Sequence, residues 1–137
     1  MTKKQKLRAC GVYILSQDGE RILLTQRGPA ARHEQFKWEG PGGACDPGES
    51  YEAAAVREIQ EELAVTVTLT GIIWEYESIV DSNNDDWAAK IFQGTIAEQT
   101  PSLPDPTKVA GFGWFTRNEI NALHETGLLA SYAVKDL

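Results

Sequence analysis

The chain is 137 residues long, 42% hydrophobic and 24% charged, with a formal net charge of −7. That size suits one domain over residues 1–137 with a workable core, and the composition excludes a disordered chain. The acidic balance excludes bulk nucleic-acid binding, and no apolar run is long enough to span a membrane. The basic opening, residues 1–8, lacks the apolar core of a signal peptide, and the two cysteines, Cys10 and Cys45, stand at no metal-binding spacing. Free thiols and a cytoplasmic location are expected.

Residues 7–15 are rich in Val, Tyr and Ile, and 21–26 form a second apolar run. Asp18-Gly19 between them is a strong turn dipeptide, which predicts an antiparallel hairpin. Arg27 leaves the second strand. Residues 28–35 read as a loop in which Arg32 and His33 are candidates to face a ligand, with an ordinary loop histidine as the alternative for His33. Phe36-Lys37-Trp38 predicts a short strand leading into the turn-rich Glu39-Gly40-Pro41-Gly42-Gly43, with Trp38 as core packing.

The next stretch sets a glycine loop before a helix. Gly42, Gly43 and Gly48 with Pro47 suit tight turning and close approach of a ligand to bare backbone. Ser50 is a plausible N-cap, and Ala53-Ala54-Ala55 are strong helix formers. At about 100° per residue Glu58, Glu61 and Glu62 share roughly 100° of arc, while Val56, Ile59 and Leu63 define a face to be buried. Clustered like charges do not serve helix stability by themselves. A divalent cation would remove the repulsion, and Mg²⁺ prefers carboxylate oxygens while keeping positions open for water and phosphate. A solvated acidic helix face is the bland alternative.

Further on, 65–77 predicts a strand, 81–87 a polar turn and 88–98 a second strand, the two pairing as a long hairpin. Trp87 is a candidate to stack on a base or to be half packed. Pro101, Pro104 and Pro106 make 99–107 an irregular loop. Residues 112–115 predict a last strand, and Thr116-Arg117-Asn118-Glu119 is a capping box opening a helix with Ile120 and Leu123 on one side. Gly127 is expected to end that helix, and 128–134 to add a turn or short helix. Many strands with two separated helices predict the α/β class, as an α/β/α sandwich around a mixed sheet.

The order of residues from Gly43 to Val65 resembles the signature of the Nudix hydrolases. In that signature a glycine and a glutamate at fixed spacing precede Arg-Glu-apolar-x-Glu-Glu-x-Gly-apolar. This chain has Gly43, Glu49, Arg57, Glu58, Ile59, Glu61, Glu62 and Val65 in those places, and Ala64 where the signature has Gly. The similarity extends to Leu23-Leu24-Thr25-Gln26-Arg27, Lys37-Trp38 and Gly113-Trp114-Phe115-Thr116.

The resemblance implies a Nudix-type sandwich and a Mg²⁺-dependent pyrophosphohydrolase, with Mn²⁺ as a substitute ion. Its substrate would be a nucleoside diphosphate linked to another moiety, a nucleoside triphosphate or similar. By resemblance, Glu58 and Glu62 are the principal metal ligands, and Glu61 is a further ligand or the residue that activates water. A backbone carbonyl of Gly42 or Gly43 faces the metal, Arg57 orients Glu49, and Arg27 lies near the substrate phosphates. One more carboxylate from outside the signature is expected, with Glu75, Glu77, Asp85, Asp86 and Glu98 as candidates. Dimers occur in the family, so a homodimer is an open expectation. Two alternatives stand beside this reading. The first is a noncatalytic nucleotide-sensing or protein-binding module, against which the intact acidic set argues. The second is an isoprenoid diphosphate isomerase, which needs an added acid–base pair that Cys45 does not convincingly supply. Ala64 would cost roughly 1 kcal/mol relative to Gly in a left-handed helix end, unless the end closes differently.

Overall fold

In a computed structural model, which describes residues 6–81 and 84–130, the elements follow the chain in the order β1 (Leu7–Leu15), β2 (Ile22–Arg27), β3 (Trp38–Glu39), β4 (Gly42–Ala44), α1 (Tyr51–Leu63), β5 (Thr68–Val80), β6 (Asp86–Thr95), β7 (Val109–Phe115) and α2 (Arg117–Glu125). The hairpin at Asp18-Gly19 forms, with Gly19 at φ 75° and the Ser16 N–H donating to the Arg21 carbonyl. β1 pairs with β6 in parallel, while the other pairings are antiparallel, so the sheet is mixed.

Alternation along the central strands decides which helix covers which face. Val12, Ile14 and Leu23 point to one side and pack with Ala54, Ala55, Ile59 and Leu63 of α1. Tyr13 and Leu24 point to the other and pack with Ile120 of α2, Leu129 and Ala130. The expected sandwich follows from this period-two split. Not every strand supplies this core. β5 is the outermost strand beside β6, and its Ile72, Ile73 and Trp74 are exposed.

What positions the site is a fork in the sheet. β1 and β2 pair at Ile14↔Leu23 and Leu15↔Ile22, and then part. β4 takes the vacated edge of β1 through Ala9↔Ala44, Cys10↔Gly43 and Gly11↔Gly42, and β3 takes that of β2 through Thr25↔Glu39 and Gln26↔Trp38. The Pro41 carbonyl accepts the Val12 N–H at 2.9 Å. Residues 39–43, expected as a loop, thus divide between two short strands. Glycine disfavours strands, and here free edges on two neighbours override that preference.

Other boundaries shift more simply. The hairpin of β5 and β6 forms with three register irregularities, and β6 starts and ends ahead of the expected 88–98. Residues 128–130 are extended rather than helical, since the Trp38 N–H donates to Leu128 O and the Ala130 N–H to Trp38 O, both at 2.8 Å. Residues 131–134 of the same expectation lie outside the described residues.

Both helices open as the sequence predicts. The Ser50 side chain accepts the Ala53 N–H, and Thr116 and Glu119 form a reciprocal capping box. The end of α1 keeps the left-handed geometry despite its alanine. Ala64 sits at φ 55°, ψ 36°, and its N–H donates to the Gln60 carbonyl at 3.0 Å. The strain is therefore retained, not avoided. Ala64→Gly is expected to stabilise the protein by about 1 kcal/mol and raise Tm by roughly 3 °C or more in a thermal melt. An unchanged or lower Tm would show that the alanine carries no strain.

Candidate active site

α1 departs from its predicted faces in an instructive way. Ile59 and Leu63 are fully buried, but Val56 is 36% exposed, and Glu58 and Glu62 are each only 6% exposed. The carboxylates do not face open water. They turn toward β4, where bare glycine backbone makes room: a Cβ on Gly43 would stand 2.7 Å from the Glu58 carboxyl carbon, and one on Gly42 would stand 2.1 Å from the Cys10 carbonyl oxygen. Substituting Gly43 would push β4 and the helix apart, and substituting Gly42 would push β4 off β1.

Arg57 organises the acidic groups around it. Its Nε and one terminal nitrogen donate to the two oxygens of Glu49, each at 2.9 Å, and that same nitrogen also donates to the Ala44 carbonyl at 3.1 Å. The other terminal nitrogen reaches Glu58 Oε1 at 3.1 Å and Glu61 at 3.3 Å. The forked bond from Arg57 holds the Glu49 carboxyl well below the usual range, at about 2, helped by the Asp46 N–H. Arg57 in turn is held above its usual value, chiefly by Glu49. Of the three glutamates clustered on one side of α1, Glu58 and Glu62 are buried, and Glu61 is half exposed and tethered to Arg57.

Glu62 lines a cavity of about 300 Å³ with Arg27, Arg32, Glu39, Gly42 and Lys108. A larger hollow of about 540 Å³ lies against α2 and contains none of these groups, so size does not mark the chemistry here. Burial pushes Glu62 up to about 8; neighbouring Glu58 adds to the shift, while Lys108 and the Gly42 N–H oppose it. Burial also pushes Glu39 up to about 7 against the pull of Arg27. Arg27 donates to Glu39 at 3.1 Å and to the His33 carbonyl at 3.2 Å.

Of the residues singled out in the sequence, Arg27, Arg32, Gly42 and Glu62 line this cavity, while Glu58 stands beside it against Gly43 and Lys108. His33 contributes its carbonyl to Arg27. Gly42 meets Glu62 through its N–H, and the Gly43 carbonyl accepts the Cys10 thiol at 3.6 Å. None of Glu75, Glu77, Asp85, Asp86 or Glu98 lines the cavity; Glu75 pairs instead with Lys90. Trp87 donates its indole N–H to Asp81 at 2.9 Å, away from the cavity.

Sequence reasoning missed Glu39 and Lys108. Glu39 had a signal, as the one carboxylate directly before Gly40-Pro41-Gly42-Gly43. Lys108 is the one cation between residues 91 and 116, on the proline-rich loop.

The residues present suit a hard divalent cation. Glu58 Oε2 is buried and, among the described residues, accepts no hydrogen bond, and a second buried carboxylate stands beside it on the same helix. Among the described residues no three acidic, imidazole or thiol groups converge as a preformed cage. Mg²⁺ does not need one, because it binds through one or two carboxylates and completes its shell with water and phosphate.

A pH dependence follows from the two raised carboxylates. Below about pH 4.5 folded and unfolded chains both hold these protons. Between there and about pH 8 only the folded chain holds them, so folding takes up protons and stability falls as pH rises. Glu49 acts in another window, since its stabilisation is present above about pH 4.5 and is lost as pH falls toward 2. In EDTA the melting temperature is expected to fall from pH 5 to pH 8, and Mg²⁺ should reverse the fall with release of protons measurable by calorimetry in paired buffers. A melting temperature that stays level or rises over that range would contradict the buried-carboxylate account.

The NUDIX domain family model matches residues 5–135. The chain is 34% identical over 101 residues to a putative 8-oxo-dGTP diphosphatase of Bacillus subtilis (strain 168), covering 74% of this chain and 61% of that one. It is 32% identical over 120 residues to an isopentenyl-diphosphate Delta-isomerase of Nocardia farcinica, covering 84% of this chain and 66% of that one. The chain thus spans about three-fifths to two-thirds of the length of these relatives. A crystal structure of a MutT NUDIX hydrolase from Burkholderia pseudomallei superposes with a TM-score of 0.70 at 28% identity, covering 88% of this chain and 98% of that one. With a family model spanning nearly its whole length and the signature residues gathered on and around α1 and β4, this chain belongs to the NUDIX domain family.

Proposed function

We propose that the protein is a Mg²⁺-dependent pyrophosphohydrolase that cleaves the diphosphate linkage of a nucleoside diphosphate joined to another moiety, with nucleoside triphosphates the first class to assay. The observation that carries this reading is the buried pair Glu58 and Glu62, with a Glu58 Oε2 that accepts no hydrogen bond among the described residues, beside a cavity lined by Arg27, Arg32 and Lys108. Carboxylates alone would suit many roles; carboxylates facing bare backbone beside three cations suit a metal and a polyphosphate together.

Glu58 and Glu62 hold the ion in this reading, and Glu61 serves as a further ligand or as acceptor of the proton from the attacking water. When bound, the ion supplies neutralising charge for the bridging phosphate oxygens and a water of lowered pKa. Arg57 fixes Glu49 and thereby the loop that precedes α1. Arg27 and Arg32 present guanidinium groups for phosphate oxygens, and substitution at phosphorus releases a phosphorylated product. The diphosphatase activity for which the Bacillus relative is named supports a nucleotide substrate, and two free thiols, Cys10 and Cys45, support a cytoplasmic location.

Similarity to the Nocardia isomerase favours a second reading, an isoprenoid diphosphate isomerase. Against it, neither thiol lines the cavity, and burial pushes Cys10 up to about 12. Incubating the protein with Mg²⁺ and a panel of nucleoside triphosphates, nucleoside diphosphate conjugates and isopentenyl diphosphate separates the readings. Release of phosphate or diphosphate, abolished by EDTA and by Glu58→Gln, is the expected result. Double-bond migration without hydrolysis would replace the first reading by the second. Nucleotide binding without turnover, unaffected by Glu58→Gln, would make the protein a noncatalytic module.

A further inference from the structure

Of the cations that line this cavity, Lys108 is, among the described residues, the one that pairs with Glu58. Arg27 is engaged with Glu39 and with the His33 carbonyl. The Lys108 ammonium, among the described residues, pairs with one carboxylate oxygen, Glu58 Oε2, at 3.6 Å. The two ends of that pair are unlike. The lysine side chain is 53% exposed and the glutamate side chain 7%. A long, water-wetted side chain thus rests against the buried oxygen that a hard cation would seek.

The root of Lys108 is fixed although its tip is not. Its carbonyl accepts the Gly28 N–H, and that of Thr107 accepts the Ala30 N–H, each at 2.9 Å. Asp105 closes the turn by accepting the Thr107 N–H at 3.1 Å. A Cβ on Gly28 would stand 2.2 Å from the Thr107 carbonyl oxygen, so the two loops meet backbone to backbone and Gly28 is needed for that contact. The turn that bears Lys108 is therefore stapled to the loop that bears Arg32.

An ammonium and a magnesium ion cannot share Glu58 Oε2. Mg²⁺ approaches a carboxylate oxygen to about 2.1 Å, and two cations a few ångströms apart repel. The displaced ammonium then needs an anion, and a metal-bound polyphosphate brings one to the same cavity. We infer that Lys108 is a substrate-binding residue with two partners: Glu58 in the metal-free protein, and a phosphate oxygen of the diphosphate substrate once metal occupies Glu58 and Glu62. The inference rests on the function proposed above and deepens it. It involves an exchange of ion partners in which no covalent bond forms or breaks. A lysine suits the exchange better than an arginine, whose planar fork would grip the carboxylate at two points.

The test uses Mn²⁺ alone and then inorganic diphosphate, with the full chain and no turnover. Lys108→Met keeps most of the stem and removes the charge. Mn²⁺ should bind about fivefold or more tightly to the variant, because the competing cation is gone. At saturating Mn²⁺, inorganic diphosphate should bind on the order of tenfold more weakly, and Lys108→Arg should restore much of that loss. Mn²⁺ affinity that is unchanged or weaker in Lys108→Met overturns the pairing with Glu58, and unchanged diphosphate affinity overturns the phosphate contact. Failure of the underlying reading has a separate signature. Wild-type protein that binds no Mn²⁺, or binds it as well after Glu58→Gln, overturns the metal site and this inference with it.

Discussion

Glu58→Gln should lower Mg²⁺-dependent turnover on the order of 10³-fold and at the same time stabilise the metal-free protein at pH 8. On the function proposed above, the loss follows from removing one of the two buried carboxylates that would hold the cation. The gain follows from the neighbour. Glu58 is the second cause, after burial, that pushes Glu62 up to about 8, so neutralising it relieves a repulsion inside the fold. The amide nearly matches the carboxyl in shape and can still accept from Arg57, so packing against Gly43 is preserved. Activity and thermal melts in EDTA, run on the same preparation, read both effects. Retained activity would remove Glu58 from the metal site, and a lower metal-free Tm at pH 8 would show that its bonds to Arg57 outweigh the repulsion. A site that costs stability until its metal arrives is a common compromise in enzymes.

The second large effect is expected at Arg57. Arg57→Ala removes the fork that holds both oxygens of Glu49, the bond to the Ala44 carbonyl and the contacts to Glu58 and Glu61. Arg57 touches no part of the cavity lining, so its effect must travel through the groups it orients. Turnover should fall roughly 10- to 100-fold, the range usual for partners that orient metal ligands. Arg57→Lys should recover little, because an ammonium cannot grip two oxygens and a backbone carbonyl at once. The signature that separates orientation from simple destabilisation is the acid limb of the pH profile. With the fork gone, Glu49 returns from about 2 toward its ordinary range, so activity should be lost at higher pH in the variant than in the wild type. An unshifted acid limb with intact folding would argue that Arg57 serves packing alone.

Much of this site was legible because its parts are close in sequence. The Ser50 cap, the alanine run, Arg57 and the three glutamates lie on one helix, and periodicity places them. The pairing of Arg57 with Glu49, which the family resemblance implied, forms across eight residues. Periodicity also erred where it stood alone. It buried Val56 and left Glu58 and Glu62 on a polar face, because a helical wheel does not know that β4 will offer a glycine surface on that side. Lys108 meets Glu58 across fifty residues, a contact that depends on how the last loop folds back, and no local pattern carries it. β4 was hidden for a related reason: its pairing comes from a vacant edge elsewhere in the sheet, not from its own composition.

The fork between β1 and β2 has a consequence for how such a chain can diversify. Residues 39–44 are pinned on both sides, by β2 at Glu39 and by β1 at Gly42 through Ala44, so the platform under α1 does not depend on the length or content of the segments that flank it. Ala30, Ala31 and Arg32, with Lys108 and Val109 after the proline-rich loop, line the cavity beside it and take no part in these pairings. On the function proposed above, changes there would alter which substrate is admitted while Glu58 and Glu62 keep their places against Gly43 and Gly42. The fold thus gives the acidic helix and the cavity wall separate attachments to the sheet, so that one can change without shifting the other.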